Sequence, residues 1–176
     1  MENIEIKRVT IRDIDRLQQI GRQTFHETFA PHNSEENLQK YLEERFSVEK
    51  LTSELNNADS EFYFATSGDQ VIGYLKVNSG QAQTELQDES ALEIERIYVL
   101  RDFYGKKVGQ RLLDRAIRIA EEKQARYVWL GVWENNTRAL GFYKKNGFAG
   151  FDTHIFRVGD DAQTDILMKR MLWFRE

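Results

Sequence analysis

Residues 91–133 read in order as an apolar strand (about 91–99), a charged loop punctuated by Gly105 and Gly109, an amphipathic helix (108–123) and a second apolar strand (Tyr127–Trp133). Two strands joined through a helix of that length run parallel, and the connection between them is a right-handed crossover. The helix carries one apolar stripe, Val108, Leu112, Leu113, Ala116, Ile117 and Ala120, which buries a single face against a sheet. Whatever else the chain does, it has to be arranged around this strand–helix–strand unit.

The first strand of the unit holds a second constraint. Leu92 and Ile94 share one parity, whereas Ile97 and Val99 share the other. Side chains alternate with period two, so a phase flip within a strand predicts one inserted residue near Glu95–Arg96, a β-bulge. A bulge bends its strand away from a neighbour and leaves main-chain N–H and C=O groups unpaired, which could bind something extended. The alternative is a central strand buried on both faces, where parity carries little information.

Around the unit, periodicity predicts a strand over Asn3–Val9, a helix capped by Thr10 and running to about Phe29, and shorter helices behind Ser34 and Ser47 (about 35–45 and 48–56). Pro31, the single proline, breaks the first helix. Glu61–Thr66 and Gln70–Val77 form a hairpin, and Asn78–Ser90 is a polar loop. A helix over 136–146 and two strands, about 149–157 and 164–172 with a loop between them, finish the order. No repeat, linker or low-complexity segment interrupts it. The expectation is one α/β domain over residues 1–176, a mixed central sheet flanked by helices.

Composition narrows the function classes. The chain has 176 residues, enough to bury a full core, no apolar run approaching the ~18 residues of a membrane span and no charged-then-apolar leader after Met1. It has no cysteine, which excludes disulfides, thiolate metal sites and a cysteine nucleophile, and which fits a soluble, cytoplasmic protein. His26, His32 and His154 are too scattered for a metal cluster, so no metal is expected. The net charge of −4 is uneven: residues 1–60 carry 12 acidic and 8 basic side chains, and residues 61–176 carry 17 of each. Within Arg101–Arg118 six basic residues face only Asp102 and Asp114. An acidic lobe and a basic loop suggest a cationic partner and an anionic one, the alternative being that both are solvated surface. An acidic chain without a recognisable nucleic-acid motif argues against a nucleic-acid partner.

The basic loop is the most informative stretch. Gly105 and Gly109 bracket Lys106-Lys107-Val108 immediately before a helix N-terminus. Glycines let backbone amides turn toward a ligand, the helix end adds partial positive charge, and Lys106, Lys107 and Arg111 add more. That combination suits a pyrophosphate, although it is neither a dinucleotide-binding GxGxxG nor a Walker loop.

Tyr104-Gly105-Lys106-Lys107-Val108-Gly109 resembles the acetyl-CoA pyrophosphate loop of the GCN5-related N-acetyltransferases, Arg/Gln-x-x-Gly-x-Gly/Ala. About thirty residues on, "NTRALGFYKKNGF" matches a second pattern of that family, with Asn136, Ala139, Tyr143, Gly147 and Phe148 in place. The segments "TFHETFAPHNSEENLQKYL", "LEIERIYV", "YVWLGVWENN" and "HIFRVGDDAQTDILMKRML" resemble the polyamine N-acetyltransferases of the PaiA type, so that the likeness covers about Ile4 to Leu172. Two departures stand out: Tyr104 replaces the usual Arg/Gln, and Lys107 stands where many members have glycine.

The resemblance implies acetyl-CoA as cosubstrate and a small cationic amine, a spermidine- or spermine-like polyamine, as acceptor. Ile97, Tyr98 and Val99 would hold the pantetheine arm between parted strands. The segment Tyr104, Gly105, Lys106, Lys107, Val108, Gly109 and Gln110 would take the pyrophosphate, and Asn136 the polar groups of the arm. Tyr143 would protonate the departing thiolate, its ordinary pKa of ~10 being near that of a thiol. Glu95, at the inferred bulge, is a candidate base, or else a surface carboxylate paired with Arg96. Glu27, Glu35 and Glu36 in the acidic lobe are candidates for a second ammonium of the acceptor. Two other readings stay open: the same chemistry on an antibiotic, an amino acid or a protein N-terminus or lysine, and an acyl-CoA-binding sensor without useful turnover. An exposed C-terminal strand would allow a homodimer.

Overall fold

A computed structural model describes residues 3–172, built on a seven-stranded mixed sheet. Its strands are β1 (Ile4–Arg8), β2 (Ser60–Ser67), β3 (Gln70–Asn78), β4 (Ala91–Val99), β5 (Tyr127–Trp133), β6 (Ala149–Val158) and β7 (Asp161–Met171), in spatial order β1-β2-β3-β4-β5-β7-β6. The single parallel pair is β4–β5, joined by α4 (Val108–Glu122) as the expected crossover. The other helices are α1 (Ile14–Phe29), α2 (Glu35–Arg45), α3 (Val48–Leu55) and α5 (Thr137–Lys145).

Local chemistry sets the helix starts. The Thr10 N–H donates to Asp13 Oδ2 at 2.9 Å, opening a short 3₁₀ turn (Ile11–Asp13) that leads into α1. Ser34 and Ser47 cap α2 and α3, their hydroxyls accepting from the Asn37 and Lys50 amides at 3.2 and 3.1 Å. Pro31 sits in a 3₁₀ turn, Ala30–His32, that ends α1 as its missing N–H dictates.

Helices α1 and α4 cover opposite faces of the sheet. Arg16 of α1 lies over the Phe64 ring and Arg115 of α4 over the Tyr63 ring, and adjacent residues of a strand point to opposite faces. β2 and β3 are therefore buried almost throughout. On β3, Gly73 leaves room for a close approach: a Cβ there would lie 2.7 Å from the Tyr98 carbonyl oxygen of β4 and 3.4 Å from Leu112 of α4.

The bulge is present. Arg96 pairs with Lys76 and Ile94 with Val77, so Glu95 is the inserted residue. Pairing between β4 and β5 runs from Ala91↔Tyr127 to Ile94↔Leu130 and stops there. Beyond that point the two strands part, and a cavity opens between them.

Strand β7 departs from expectation: it begins at Asp161 rather than at 164, and 158–163 is not a loop. Gly159, at φ +59°, and Asp160 make a two-residue turn, so Asp161, Ala162 and Gln163 join the ladder with β6. Among the described residues no helix is long and apolar enough to cross a membrane.

Gly73→Ala forces a methyl group into the β4 backbone. The expected loss is about 1–3 kcal/mol, read from denaturant midpoints at unchanged m-value.

Candidate active site

The cavity between β4 and β5 has a volume of about 1270 Å³. One end is ringed by the loop that precedes α4, the middle by β4, β5 and α5, and the other end by aromatic and acidic side chains from α1, α2 and β7.

On the β4 wall, strand alternation decides which amides are free. The Leu100 N–H donates to the Ile72 carbonyl at 2.8 Å, so Leu100–Ile72 is a hydrogen-bonded pair of the antiparallel ladder. Every second residue then faces β3, which places the main-chain groups of Tyr98 and Arg96 on β3 and those of Ile97 and Val99 on the cavity. The expectation for Tyr98 is corrected accordingly: its amide belongs to the sheet, and only its side chain lines the cavity.

At the loop end, Gly105 (φ +77°) and Lys107 (φ +65°) both adopt left-handed conformations, turning the chain into α4. For lysine that conformation is strained, costing roughly 1–2 kcal/mol. Lys107 is the N-cap and has no side-chain cap bond. The first helical bond is donated by the Arg111 N–H to the Lys107 carbonyl at 3.1 Å. The amides of Val108, Gly109 and Gln110 therefore have no intrahelical acceptor and point out of the helix end, where the dipole favours an anion. Gly105, Lys107, Val108, Gly109, Gln110 and Tyr104 line the cavity, whereas Lys106 does not and lies over the Phe103 ring at 5.1 Å. Arg138 of α5 stacks on Tyr104, 3.6 Å from its ring centroid, placing a guanidinium beside the loop position that the family motif gives to Arg or Gln. The Gln110 side chain is tied to Asp114 and Asn146 at 2.9 and 3.0 Å, leaving its backbone as the contributing group.

Asn136 caps α5, its side-chain oxygen accepting from the Ala139 N–H at 3.2 Å. The amide nitrogen of that side chain is what remains for a ligand. Two turns on, Tyr143 is buried between the rings of Phe142 and Phe148 and lines the cavity. Burial pushes its phenol well above the ordinary range, so it holds its proton throughout the physiological range.

Glu95 occupies the bulge but not as a free carboxylate. It accepts from Lys76 Nζ at 2.8 Å and Asn78 Nδ2 at 2.9 Å and pairs with Arg96 at 3.1 Å. Glu54 of α3 completes the network, holding Arg96 through two bonds at 3.0 and 3.1 Å and Lys76 at 3.5 Å. Burial raises the Glu95 pKa, but Arg96 and Lys76 outweigh burial and bring it down to about 2. A carboxylate held there is a poor proton acceptor, so the geometry assigns Glu95 to the bulge rather than to base catalysis.

The acidic-lobe candidates also separate. Glu27 lines the cavity, but its carboxylate accepts from the Arg101 N–H at 3.1 Å and its carbonyl accepts from the Arg101 side chain at 2.8 Å. It fastens α1 to the loop. Glu35 and Glu36 open α2 outside the cavity wall, with Glu35 at 3.8 Å from His26. These three carboxylates are not brought together at one acceptor position.

Their place is taken by residues that sequence reasoning left structural or did not single out. Phe29, Tyr41 and Phe156 join Trp133 in an aromatic wall, ring centroids 5.6–5.8 Å apart between neighbours, and His32 meets Trp133 edge-on at 4.8 Å. Asp165 of β7, the cross-strand partner of Trp133, completes that end. The available signal was parity: Asp165 shares a strand face with buried Leu167, an unusual place for a carboxylate.

Comparison with known proteins matches residues 17–148 to the acetyltransferase (GNAT) family. An uncharacterized N-acetyltransferase of Lactobacillus delbrueckii subsp. lactis is 39% identical, covering 98% of this chain and 99% of its own. A spermidine N(1)-acetyltransferase of Thermoplasma acidophilum is 31% identical, covering 96% and 97%. Among solved structures, the PaiA N-acetyltransferase of Thermoplasma acidophilum in complex with coenzyme A superposes with a TM-score of 0.80 at 27% identity, covering 97% of this chain and 99% of that one.

Two variants test the assignments of Glu95 and Lys107. Glu95→Gln strips the anion from buried Lys76 and Arg96 and should cost about 3 kcal/mol of unfolding free energy near neutral pH. Because the folded pKa is depressed, that contribution is complete above the unfolded value of 4.5 and fades as pH falls toward about 2. The difference between wild type and variant in urea titrations should therefore shrink on acidification. Lys107→Gly relieves the left-handed strain and should raise stability by up to about 1 kcal/mol in the same titrations.

Proposed function

Because the chain belongs to the GNAT family of acetyltransferases, we propose that it transfers acetyl from acetyl-CoA to a primary amine, with a polyamine such as spermidine as the acceptor. The observation that carries this reading is the parting of β4 from β5 past Ile94↔Leu130, with free amides on the β4 wall, a helix N-terminus at one end and Tyr143 between the two.

The residues present fit acetyl-CoA. The unbonded amides at the start of α4, the left-handed Lys107 and the Arg138–Tyr104 stack form an electropositive cradle for a pyrophosphate. Ile97 and Val99 offer main-chain groups along the gap for an extended amide-bearing arm, and the Asn136 side-chain nitrogen adds a donor. Acetyl-CoA supplies the activated acetyl group as a thioester. Within this chain, the β4 amides polarise the carbonyl oxygen and Tyr143 gives a proton to the departing sulfur. Burial keeps the phenol protonated and ready to donate, and at the same time makes it a weaker acid than an exposed tyrosine.

The acceptor end supports a cation. Among the described residues five carboxylates line the cavity; four are engaged by protein groups, and the fifth, Asp165, stands beside Trp133, whose aromatic face attracts an ammonium while packing against methylenes. The resemblance to a spermidine N(1)-acetyltransferase over nearly the full length supports the polyamine.

The test follows free thiol as it is released from acetyl-CoA with spermidine, spermine, putrescine, lysine and a basic peptide; the protein contains no cysteine, so the signal is product alone. Release with spermidine or spermine faster than with the others is the expected outcome. Tyr143→Phe should lower kcat roughly 100-fold with acetyl-CoA affinity unchanged by calorimetry. Full turnover in that variant removes Tyr143 from the acid role.

A further inference from the structure

Of the five carboxylates that line the cavity, four are already committed. Glu27 accepts from Arg101, Glu85 is 2.9 Å from His154 Nδ1, Glu93 accepts from Asn78 and Thr84, and Glu95 is neutralised by Lys76 and Arg96. Asp165 stands apart: no hydrogen bond to its carboxylate is present among the described residues.

Its position is as informative as its isolation. Gly131 is the first residue of β5 beyond the last pair with β4. Asp165 Oδ2 lies 3.4 Å from where a Cβ of Gly131 would be, so the carboxylate leans along β5 into space that the glycine leaves clear, at the mouth of the gap. Trp133 stands beside it as its cross-strand partner, and the Tyr41 and Tyr98 rings are near enough to interact with it electrostatically. A half-buried anion without a donor, next to aromatic faces, is a site that a cation completes.

We propose that the Asp165 carboxylate binds the acceptor ammonium and takes its first proton. The assignment rests on the N-acetyltransferase reading and adds to it the group that prepares the nucleophile. The ammonium nitrogen loses one proton to an Asp165 oxygen, which passes it to solvent. The neutral nitrogen forms the new C–N bond as the C–S bond breaks, Tyr143 protonates the sulfur, and the second nitrogen proton returns to Tyr143 through solvent. One proton is released per turnover.

Burial raises the Asp165 pKa to about 6, with His154 pulling the other way. The carboxylate is thus charged at neutral pH yet has a proton affinity near the working pH, unlike Glu95 at about 2. The titratable groups that face it are His154 of β6 with its partner Glu85, Tyr41 of α2 and Tyr98 of β4.

The test is Asp165→Asn, which keeps shape and removes charge, with His154→Gln as the control for the neighbouring imidazole. In wild type, kcat/KM for spermidine should fall below a midpoint of about 6, as Asp165 protonates. In Asp165→Asn that acid limb should vanish and kcat/KM should drop by about 100-fold or more. Calorimetric affinity for spermidine in the presence of CoA should weaken about tenfold or more, with acetyl-CoA affinity unchanged. His154→Gln should retain the limb. An Asp165→Asn variant with wild-type spermidine affinity and an intact limb, or a limb that disappears with His154→Gln instead, overturns the assignment and leaves the acetyltransferase reading standing. A wild-type protein that binds acetyl-CoA but releases no thiol with any amine of the panel, and binds no spermidine, overturns both.

Discussion

Lys76, Arg96, Glu54 and Glu95 form a buried four-member ion network at the point where β4 stops pairing with β5, and the cavity exists because that point is held open. A bulge alone bends a strand; what keeps this one in place is that its extra residue is an anion with two cations to satisfy. The network also crosses elements. Glu54 comes from α3, Lys76 from β3 and the other two from β4, so the helix, the neighbouring strand and the bulge are fixed relative to one another by side chains that cannot be separated without leaving a charge in the interior. Such a network adds little net stability over an apolar core; its consequence is a single geometry for the parting strands.

The two ends of the resulting gap have opposite electrostatic character, and each comes from a different level of structure. At one end the positive character is largely backbone: the unbonded amides of α4, fixed by the left-handed Lys107, with Arg138 stacked on Tyr104 in support. At the other end the negative character is side chain, chiefly Asp165 of β7 beside Trp133, since Lys76 and Arg96 neutralise Glu95. In the proposed reaction an anionic carrier and a cationic acceptor would be drawn to opposite ends of one cavity and meet where Tyr143 sits. Glu27 links the ends mechanically, since its carboxylate grips the Arg101 amide at the start of the loop while Phe29 on the same helix forms part of the aromatic wall.

Much of the scaffold could be read from one-dimensional pattern because the determinants are local. The parity flip between Leu92/Ile94 and Ile97/Val99 located the bulge, the stripe on α4 located the crossover, and Ser34 and Ser47 located two helix starts. What escaped depends on distant pairing. The pairing of Glu95 with its neighbour Arg96 was legible as one alternative, but nothing near it in sequence says that Lys76 will add a second cation or that Glu54 will hold both in place, so a role as base stayed open. The Tyr98 amide looked free because the bulge explains a gap in pairing but not which edge each residue presents; that follows from the Leu100–Ile72 bond. The start of β7 was placed three residues late because Asp161-Ala162-Gln163 has weak strand preference, which the two-residue Gly159-Asp160 turn overrides by bringing them into register with β6. Trp133 ends an apolar strand, but burial against neighbours and a role in lining a cavity are compatible, and sequence alone does not separate them.

Glu95 and Asp165 show how far placement, rather than residue type, decides what a carboxylate does. Both line the same cavity, and burial raises the proton affinity of each. At Glu95 two buried cations more than reverse that effect, and the group becomes a fixed structural anion. At Asp165 the opposing influence is one histidine already engaged by Glu85, and the group stays near the pH at which protons can be exchanged. The difference arises from placement: the bulge turns Glu95 toward Lys76 and Arg96, whereas Asp165, paired with Trp133 across β5, leans over Gly131 just past the last β4–β5 pair, where no cation of the protein meets it.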